Sequence, residues 1–505
     1  MSDNTEATLV VDSRFTIAPL DPRLFGSFVE HMGRAVYTGL FEPGHPAADD
    51  NGFRTDVLAL TRELGVTVVR YPGGNFVSGY RWEDGVGPVG SRPARLDLAW
   101  RQIESNRFGL DEFVRWARLA GVEPMMAVNL GTRGVQEACD VLEYANHPGG
   151  TRLSDQRIAN GAADPHGIRL WCLGNELDGD WQIGQKTAHE YGRLANETGK
   201  AMRLVDPDIE LVLCGSSGSA MPTFGRWEAV ALEAAYDVVD YISLHAYYEE
   251  RDGDLASFLA SPVDMDGFIS SVVATADHVR AVLRKQKKIM LAFDEWNVWY
   301  MSRMASAPDW RHAPPLAEDP YTAADAVVVG GCLITLLRHA DRVRIGCLAQ
   351  LVNTIAPIRT EAGGPAWRQS TFHPFALTAL HARGTVLRME ITAPDVSTEV
   401  HGSVPVVDAV ATHDEESGRL AVFCVNRGTA ASVPVRVHLS AFGPLRVAVA
   451  TVLGGGDPHA CNSSSTEQVQ PQELCDVQVD GQELRFVLPP VCWAVVVLRP
   501  ELPDE

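Results

Sequence analysis

Two glutamates in this sequence follow short apolar runs of the same design. The first run, 168–176, ends in Asn175 and Glu176, and the second, 288–296, carries Glu295 next to its end. Short apolar runs rich in β-branched and aromatic residues are typical of buried β-strands. Glycoside hydrolysis needs two carboxyl groups, one as acid and the other as nucleophile or base. Glu176 and Glu295 are therefore our candidate catalytic pair.

The sequence pattern predicts strands and helices that alternate along the chain, and this alternation would place both glutamates on one rim. Eight apolar runs predict strands at 24–31, 66–72, 124–130, 168–176, 209–215, 238–246, 288–296 and 343–352. Segments with helical spacing lie between them, such as 111–119, which opens with two acidic residues and is followed by Gly121. This pattern is typical of a (β/α)8 TIM barrel. A doubly wound sheet is the alternative, but it usually has fewer strands, and its GxGxxG fingerprint is absent.

The carboxyl ends of the predicted strands supply polar and aromatic side chains that suit a sugar. Catalytic groups of such barrels come from the ends of several strands. Carboxylates and amides hydrogen-bond sugar hydroxyls, and aromatic rings stack on sugar rings. Besides the glutamate pair, the candidate site residues are Glu30, Arg70, Asn75, Asn175, His245, Tyr247, Trp299 and Gln350.

Each candidate also has a structural interpretation. A lone glutamate at a rim more often forms an ion pair with a loop, but two matched glutamates favour function. Arg70 is either a structural ion pair or, as we expect, a neighbour that keeps Glu295 ionised. Tyr247 is equally a core tyrosine or a donor to the same carboxylate. His245 on an apolar strand is more often a satisfied core histidine, and Trp299, like two other tryptophans, is either core or sugar platform.

Other kinds of chemistry have weaker signals. Glu30, His31 and His245 could meet as a metal site, but no HExxH or similar ligand spacing supports one. Residues 215–219 miss the GxSxG nucleophile elbow, which makes a serine hydrolase a poor fit. We therefore expect neither a metal nor an organic cofactor.

Composition excludes several classes of partner. The formal net charge of −22 disfavours nucleic acid and anionic membrane surfaces, which bind Lys and Arg. No apolar run reaches the ~20 residues needed to span a bilayer. The nine cysteines are odd in number and form no CxxC pair, which favours buried thiols in a reducing compartment. The amino terminus has no basic or apolar signal region, so we expect a cytoplasmic protein.

The pattern changes near Gly384, after which short alternating strands separated by turn residues dominate. This pattern predicts an all-β sandwich, jelly-roll-like, with few residues that could do chemistry. A barrel has no place for a ninth strand, so the amino-terminal strand at 8–20 is expected to join the sandwich. The expected division is 1–20 (strand of the sandwich), 21–384 (catalytic barrel) and 385–505 (accessory sandwich).

At these residues the sequence resembles the family 51 glycoside hydrolases, the α-L-arabinofuranosidases. The similarity runs in the same order over nearly the whole chain. The Asn-Glu pair is shared by many retaining glycosidases, and the other motifs are more specific. They are FGSFVEHMGRAVYTGL (25–40), VVRYPGGNFVSGYRWEDGVGP (68–88), LWCLGNELDG (170–179), YISLHAYY (241–248), LAFDEWNVWY (291–300) and AQLVNTIAPI (349–358).

The resemblance implies a role for each matching residue. Glu176 would be the acid/base and Glu295 the nucleophile of a retaining mechanism. The family's sugar-binding positions match Glu30, Asn75, Asn175 and Gln350, while Tyr247 and Arg70 match the tyrosine and arginine beside the nucleophile. Family members are often intracellular homohexamers. Residues 301–312 match least well, so we expect them to shape the leaving-group side.

We therefore predict a retaining exo-glycoside hydrolase that releases terminal α-L-arabinofuranosyl groups from arabino-oligosaccharides or arabinoxylan fragments. Retention requires the two carboxyl groups to be roughly 5–5.5 Å apart, whereas a separation above ~6.5 Å would favour inversion. One alternative is another glycosidase on the same scaffold, an endo-glucanase or a xylosidase. The other is a non-catalytic sugar-binding protein, whose sign would be the loss of one catalytic carboxylate.

Overall fold

A computed structural model describes residues 6–304 and 310–501. In chain order its strands are β1 (Ala7–Pro19), β2 (Gly26–Phe28), β3 (Val68–Tyr71), β4 (Arg95–Asp97), β5 (Gln102–Glu104), β6 (Glu123–Ala127), β7 (Leu170–Cys172), β8 (Glu210–Leu213), β9 (Tyr241–Tyr248), β10 (Met290–Val298), β11 (Val343–Ala349), β12 (Ile358–Thr360), β13 (Ala366–Arg368), β14 (Thr385–Thr392), β15 (Asp395–Thr398), β16 (Gly402–Pro405), β17 (Val407–Asp414), β18 (Arg419–Asn426), β19 (Val433–His438), β20 (Leu445–Gly454), β21 (Gln472–Glu473), β22 (Gln478–Asp480), β23 (Glu483–Leu488) and β24 (Cys492–Pro500). The α-helices are α1 (Thr55–Leu64), α2 (Leu110–Ala120), α3 (Val135–Asn146), α4 (Arg152–Ala159), α5 (Ala188–Val205), α6 (Arg226–Ala235), α7 (Leu255–Leu259), α8 (Pro262–Val282), α9 (Ala323–Arg338) and α10 (Phe372–His381).

Eight parallel strands close a barrel in the order β10-β11-β2-β3-β6-β7-β8-β9. Each overlaps one of the eight predicted apolar runs, so the (β/α)8 prediction is confirmed. The strand β2 is shorter than predicted because residues Pro22–Phe25 form a 3-10 helix with proline in its first turn. At Gly26 a Cβ would lie 2.6 Å from Val68 Cγ1 and 2.7 Å from the Gly346 carbonyl oxygen. Only glycine allows β2 to approach its two neighbours this closely.

The helices cover the barrel because each has one apolar face. The helix α2 begins after Gly109, whose N–H donates to the Glu112 carboxylate at 2.9 Å. It ends at Gly121, which has a φ of +79° and occupies the left-handed region that favours glycine. Phe113 and Trp116 are fully buried on its inner face. Helix capping and apolar spacing thus act together to set the length of this helix.

The helix α9 joins the barrel to the second layer of the molecule. It packs on β10 of the barrel and on β17, β18, β20 and β24 of the carboxyl-terminal sheet. A Cβ at Gly330 would lie 2.2 Å from Trp493 Cδ1, so glycine lets this tryptophan reach the helix backbone. Although α9 is apolar on all sides, the described residues contain no helix both long and apolar enough to cross a membrane.

The carboxyl-terminal strands form one ten-stranded sheet in the order β21-β20-β24-β18-β17-β14-β1-β19-β23-β22. The amino-terminal strand β1 lies inside this sheet, antiparallel to β14 and parallel to β19. Its pairing with β14 shifts between Val11 and Thr16. The two halves of the sheet share one apolar core, in which Val435 and Phe486 lie in the same cluster as Val422 and Val496. The prediction of an all-β domain is confirmed.

Candidate active site

A cavity of about 820 Å³ opens at the carboxyl ends of the barrel strands. Most of the predicted site residues line it: Glu30, Asn75, Glu176, Tyr247, Glu295, Trp299 and Gln350. The other three, Arg70, Asn175 and His245, are buried and contact this set through hydrogen bonds or ion pairs. The structure therefore brings all ten predicted residues together.

Glu295 lies within the strand β10 and is held from both sides. The Tyr247 hydroxyl donates to Glu295 Oε1 at 2.8 Å, and Arg70 Nη1 donates to Oε2 at 2.8 Å. Burial raises the pKa of Glu295, while the charges of His245 and Arg70 act against that rise. Both carboxylate oxygens thus have fixed donors, which set the orientation of this side chain.

Glu176 follows the short strand β7 and has a different backbone. Its φ is +44°, in the left-handed region that a side chain other than glycine rarely adopts. His245 Nδ1 lies 2.8 Å from Glu176 Oε1, and Trp181 Nε1 donates to Oε2 at 3.0 Å. One oxygen of Glu176, one oxygen of Glu295 and one ring nitrogen of His245 lie within 4.8 Å of one another. An oxygen of each carboxyl group therefore lies at most 4.8 Å from an oxygen of the other.

A buried network of charged residues contacts the pair Glu176 and Glu295. Arg70 Nε lies 3.1 Å from Asp294 Oδ2, and His245 Nε2 lies 3.4 Å from Asp294 Oδ1. Arg70 Nη2 also donates to Asn175 Oδ1 at 2.6 Å. Burial opposes the charged form of His245, but the charges of Glu295, Asp294 and Glu176 outweigh it and raise its pKa to about 10. His245 is thus an imidazolium at neutral pH, with Nδ1 hydrogen-bonded to Glu176 and Nε2 in ion-pair contact with Asp294.

Neighbouring residues of a regular strand point to opposite faces, yet Asp294 and Glu295 both reach Arg70. The pairing of β10 with β9 shifts between Ala292 and Glu295, and its pairing with β11 shifts between Phe293 and Trp296. Such an irregularity re-aims a side chain at the end of a strand. It explains how one arginine can pair with two consecutive acids.

Glu30 lies at the buried end of the cavity. Its Oε1 accepts hydrogen bonds from the Phe76 backbone N–H and from Trp100 Nε1, both at 2.8 Å. None of the described residues donates to Oε2. Burial and the nearby charge of Glu295 raise the pKa of Glu30 to about 8, so this group can donate a proton to a hydroxyl at neutral pH. A Cβ at Gly74 would lie 2.4 Å from Oε2, so the Gly-Gly turn is required for the carboxyl to lie here.

The cavity has a closed end and an open end. Glu30, Trp100 and Gln350 at one end are almost fully buried. At the other end the side chains of Trp181 and Met301 are 50% and 43% exposed. The shape fits one sugar ring in the closed part with the remainder of a substrate in the open part.

Sequence reasoning missed three residues of this site, namely Trp100, Trp181 and Asp294. Trp100 lies at the turn between β4 and β5, a hairpin that was not predicted. Trp181 follows Glu176 by five positions, and that proximity was the available signal.

The structure distinguishes the three tryptophans that the sequence left as either core or sugar platform. Trp299 lines the cavity and packs edge-to-face on Tyr247, with ring centroids 4.9 Å apart. The other two, Trp82 and Trp296, lie in the hydrophobic core.

The segment 301–312, predicted to shape the leaving-group side, is partly covered. Residues 305–309 lie outside the described residues. Met301 and Met304 line the open end of the cavity. The Arg311 carbonyl accepts from the Ile103 N–H at 2.9 Å, which ties this segment to the hairpin that carries Trp100.

The donor set suits hydrogen bonding better than metal binding. Glu176, His245 and Glu295 have the spacing of a possible metal site. However, His245 carries a proton at neutral pH, and the Arg70 guanidinium already contacts Glu295. Glu30 and His31, named with His245 at the sequence level, do not form a site, because His31 bonds Glu104 and Tyr71 instead, each at 2.8 Å.

Comparison with known proteins agrees with this geometry. Two family models match, the α-L-arabinofuranosidase 1 domain over residues 60–262 and the α-L-arabinofuranosidase C-terminal domain over residues 294–492. The chain is 56% identical over 497 residues to an intracellular exo-α-(1→5)-L-arabinofuranosidase of Streptomyces lividans, covering 96% of this chain and 74% of that protein. It is 52% identical to an exo-α-(1→6)-L-arabinofuranosidase of Bifidobacterium longum, covering 98% and 97%.

A solved structure extends this agreement to three dimensions. A family 51 α-L-arabinofuranosidase from Bifidobacterium longum superposes with a TM-score of 0.94 at 48% identity. The alignment covers 98% of this chain and 99% of that one. With a confirmed barrel, a close carboxyl pair and relatives this similar over 96–98% of the chain, the chain belongs to the family 51 glycoside hydrolases, the α-L-arabinofuranosidases.

Proposed function

We propose that the protein is an exo-acting α-L-arabinofuranosidase that removes terminal α-L-arabinofuranosyl groups from arabino-oligosaccharides or arabinoxylan fragments. The observation that carries this proposal is the carboxyl pair of Glu176 and Glu295 at the boundary between the closed and open parts of the cavity. The names of the Streptomyces lividans and Bifidobacterium longum relatives support the choice of sugar.

In the first step, Glu295 attacks the anomeric carbon while Glu176 protonates the leaving oxygen. The bond between the anomeric carbon and that oxygen breaks, and a covalent arabinosyl-enzyme forms on Glu295. In the second step, Glu176 takes a proton from water as the water displaces Glu295. The separation of at most 4.8 Å between oxygens of the two carboxyl groups supports this retaining route, which needs roughly 5–5.5 Å between the groups.

Buried residues around the pair would hold and orient the terminal sugar. Glu30, Asn75, Asn175 and Gln350 offer carboxyl and amide groups to its hydroxyls, and Trp299 offers a ring face at the cavity wall. One of these side chains is already held in position, since Gln350 Oε1 accepts a hydrogen bond from the Glu30 backbone N–H at 3.0 Å. Arg70 and Tyr247 orient the nucleophile, and the His245 imidazolium links it to the acid/base.

The closed end of the cavity favours exo over endo action. A polysaccharide chain bound in the middle would need an open cleft on both sides of the carboxyl pair. Here Glu30, Trp100 and Gln350 block one side, because all three are buried. An endo-glucanase would therefore find no path for its chain, whereas a single terminal furanosyl ring fits.

The residues at the open end of the cavity should set the linkage preference, because the leaving group lies there. The two relatives named above cleave differently named linkages, (1→5) and (1→6), although both are more than 50% identical to this chain. Identity at this level therefore does not decide the linkage. Met301 and Met304 lie where the leaving group would pass, so we propose that they help to select it.

We also propose a domain division, a location and an assembly. The proposed division assigns 1–20 and 385–505 to the accessory sandwich and 21–384 to the catalytic barrel, and the place of β1 within the ten-stranded sheet supports it. The intracellular name of the Streptomyces lividans relative supports a cytoplasmic location. A homohexamer is expected from the family resemblance, and light scattering on the purified protein would test it.

The activity is tested with a panel of aryl glycosides, namely α-L-arabinofuranoside, β-D-xyloside, β-D-glucoside and β-D-galactoside. We expect strong turnover of the arabinofuranoside alone. Arabino-oligosaccharides of defined linkage then show exo action, because free arabinose should be the first product. No turnover of the arabinofuranoside, with turnover of another sugar, would overturn the substrate assignment.

A further inference from the structure

A second cavity continues from the open end of the first. It has a volume of about 740 Å³ and is lined by residues 249–253, 301–303 and 459. Arg251 and Met301 line both cavities, so the two are neighbours along one wall. The first cavity is closed at Glu30, and a leaving group therefore has to extend through the open end. A leaving group longer than one sugar would pass Met301 and reach the second cavity.

Two loops of the barrel form one side of the second cavity, and Glu249 ties them together. The Glu249 side chain is only 3% exposed. Its Oε2 accepts from the N–H and the hydroxyl of Ser302, at 3.1 and 2.6 Å, and its Oε1 accepts from Arg251 Nε at 2.8 Å. The Arg303 guanidinium packs over the Tyr300 ring, 3.9 Å from its centroid. These contacts hold the wall in place without a ligand.

The opposite wall of the second cavity comes from the carboxyl-terminal sheet. His459 lies in the loop between β20 and β21, and its Nε2 lies 3.1 Å from Glu250 Oε2 of the barrel. The carbonyls of its neighbours Pro458 and Ala460 accept from N–H groups in the first turn of the helix α9, both at 2.9 Å. These backbone contacts anchor the loop to the barrel, but they do not require a histidine at position 459.

The charges in the second cavity are mixed. Two arginines and three acidic residues line it: Arg251, Arg303, Glu249, Glu250 and Asp252. A polyanion would meet the carboxylates, and a cation would meet the guanidiniums. Sugar hydroxyls can both donate to the carboxylates and accept from the guanidiniums. The exposed Met301 adds apolar surface for the carbon face of a ring. This lining favours a neutral oligosaccharide.

We propose that the second cavity binds the sugars beyond the first of a neutral arabino-oligosaccharide leaving group, and that His459 donates or accepts one of the hydrogen bonds. This inference rests on the proposed function, in which the leaving group lies at the open end. No covalent bond forms or breaks in the second cavity. Binding there instead favours longer substrates, so the carboxyl-terminal sheet takes part in the choice of substrate.

The first experiment measures kcat/KM of wild type for linear arabino-oligosaccharides of two to five sugars. The leaving group of a disaccharide is one sugar, which ends in the first cavity, whereas that of a tetrasaccharide reaches the second. We expect kcat/KM to rise on the order of fivefold from disaccharide to tetrasaccharide, since added binding energy raises kcat/KM. This comparison needs no variant. Equal values for the disaccharide and the tetrasaccharide would overturn the proposal.

The second experiment removes the imidazole from the opposite wall. His459→Ala keeps the backbone contacts of the loop, and the ratio of kcat/KM for tetrasaccharide to disaccharide should fall on the order of threefold. The control His438→Ala removes another partly exposed histidine of the same sheet, which lies 3.6 Å from Glu483. This control should keep the wild-type ratio. A wild-type ratio in His459→Ala, or an equal fall in both variants, would overturn the proposal.

A crystal structure of Glu295→Gln with a linear arabinotetraose tests the path of the leaving group directly. Sugars should lie in the second cavity, within hydrogen-bonding distance of His459. Sugars that extend instead past Ser219 and Met221, which also line the first cavity, would contradict the inference.

Failure of this inference and failure of the proposed function give different results. An aryl α-L-arabinofuranoside has a leaving group of one ring, which ends in the first cavity. Turnover of this substrate without any preference for longer oligosaccharides would count against the second cavity alone. No turnover of any arabinofuranoside would count against the proposed function itself.

Discussion

The ends of β7 and β10 carry one carboxyl group each, but they hold it in different ways. Glu295 lies inside a nine-residue strand, with Tyr247 and Arg70 fixing both oxygens. Glu176 follows a three-residue strand, has a φ of +44°, and takes one of its two hydrogen bonds from a half-exposed tryptophan. A nucleophile needs one orientation, whereas an acid/base needs two protonation states. The rigid and the adjustable surroundings match these two roles.

Replacing each glutamate by alanine should give the largest effects and should separate the two ends. Glu295→Ala removes the nucleophile, so it should lose about 10⁴-fold or more in kcat with every leaving group. Glu176→Ala should lose about 10²–10⁴-fold with poor leaving groups, which need protonation, and much less with dinitrophenolate. Steady-state kinetics over a leaving-group series measures this. Equal losses across the series for both variants would contradict the assignment of roles.

Removing Arg70 should destabilise the rigid end. Arg70→Leu removes one of the two cations, Arg70 and His245, that contact the buried Asp294 and Glu295, which costs about 3–5 kcal/mol in the free energy of unfolding. Urea unfolding followed by circular dichroism measures it as a lower midpoint. The control Arg14→Leu breaks an ion pair to Asp12 in which the arginine is 79% exposed, and it should leave the midpoint unchanged. An unchanged midpoint in Arg70→Leu would show that the pair does not stabilise the barrel.

Because the His245 imidazolium contacts both Glu176 and Glu295, the free energy of unfolding should depend on pH. The pKa of His245 is raised to about 10 in the folded protein, above the ~6.5 of an unfolded histidine. Its contribution to stability is therefore fully present below pH ~6.5 and is lost as the pH rises through about 10. The stability advantage of wild type over His245→Gln should shrink across that range. A constant difference from pH 6 to 10 would mean that His245 is not the charged link.

A smaller effect is expected at the closed end of the cavity. Gly74→Ala would place a Cβ 2.4 Å from Glu30 Oε2, so the carboxyl has to shift and the terminal sugar should bind less well. We expect a decrease in kcat/KM on the order of tenfold, about the value of one hydrogen bond. The control Gly267→Ala lies in the helix α8 with open space around it and should keep full activity. Full activity of Gly74→Ala would show that Glu30 does not need its present position.

The barrel and its rim could be predicted because each strand is an apolar run between helical segments. A residue at the carboxyl end of such a run, like Asn175 or Gln350, has its place fixed by local sequence. Trp100 reaches the cavity through a hairpin whose contact with Glu30 spans 70 positions, and no local pattern encodes that contact. Asp294 was missed because its contact with Arg70 depends on an irregular register of β10.

The most direct measurement for the account is azide rescue of the two alanine variants on an activated aryl α-L-arabinofuranoside. Glu176→Ala still forms the covalent intermediate, so azide should displace Glu295 and give the retained α-azide. Glu295→Ala has no nucleophile, so azide should attack directly and give the inverted β-azide. Nuclear magnetic resonance of the two products identifies the anomers. An inverted product from Glu176→Ala, or a retained one from Glu295→Ala, would contradict the assignment of the rigid end to the nucleophile and the adjustable end to the acid/base.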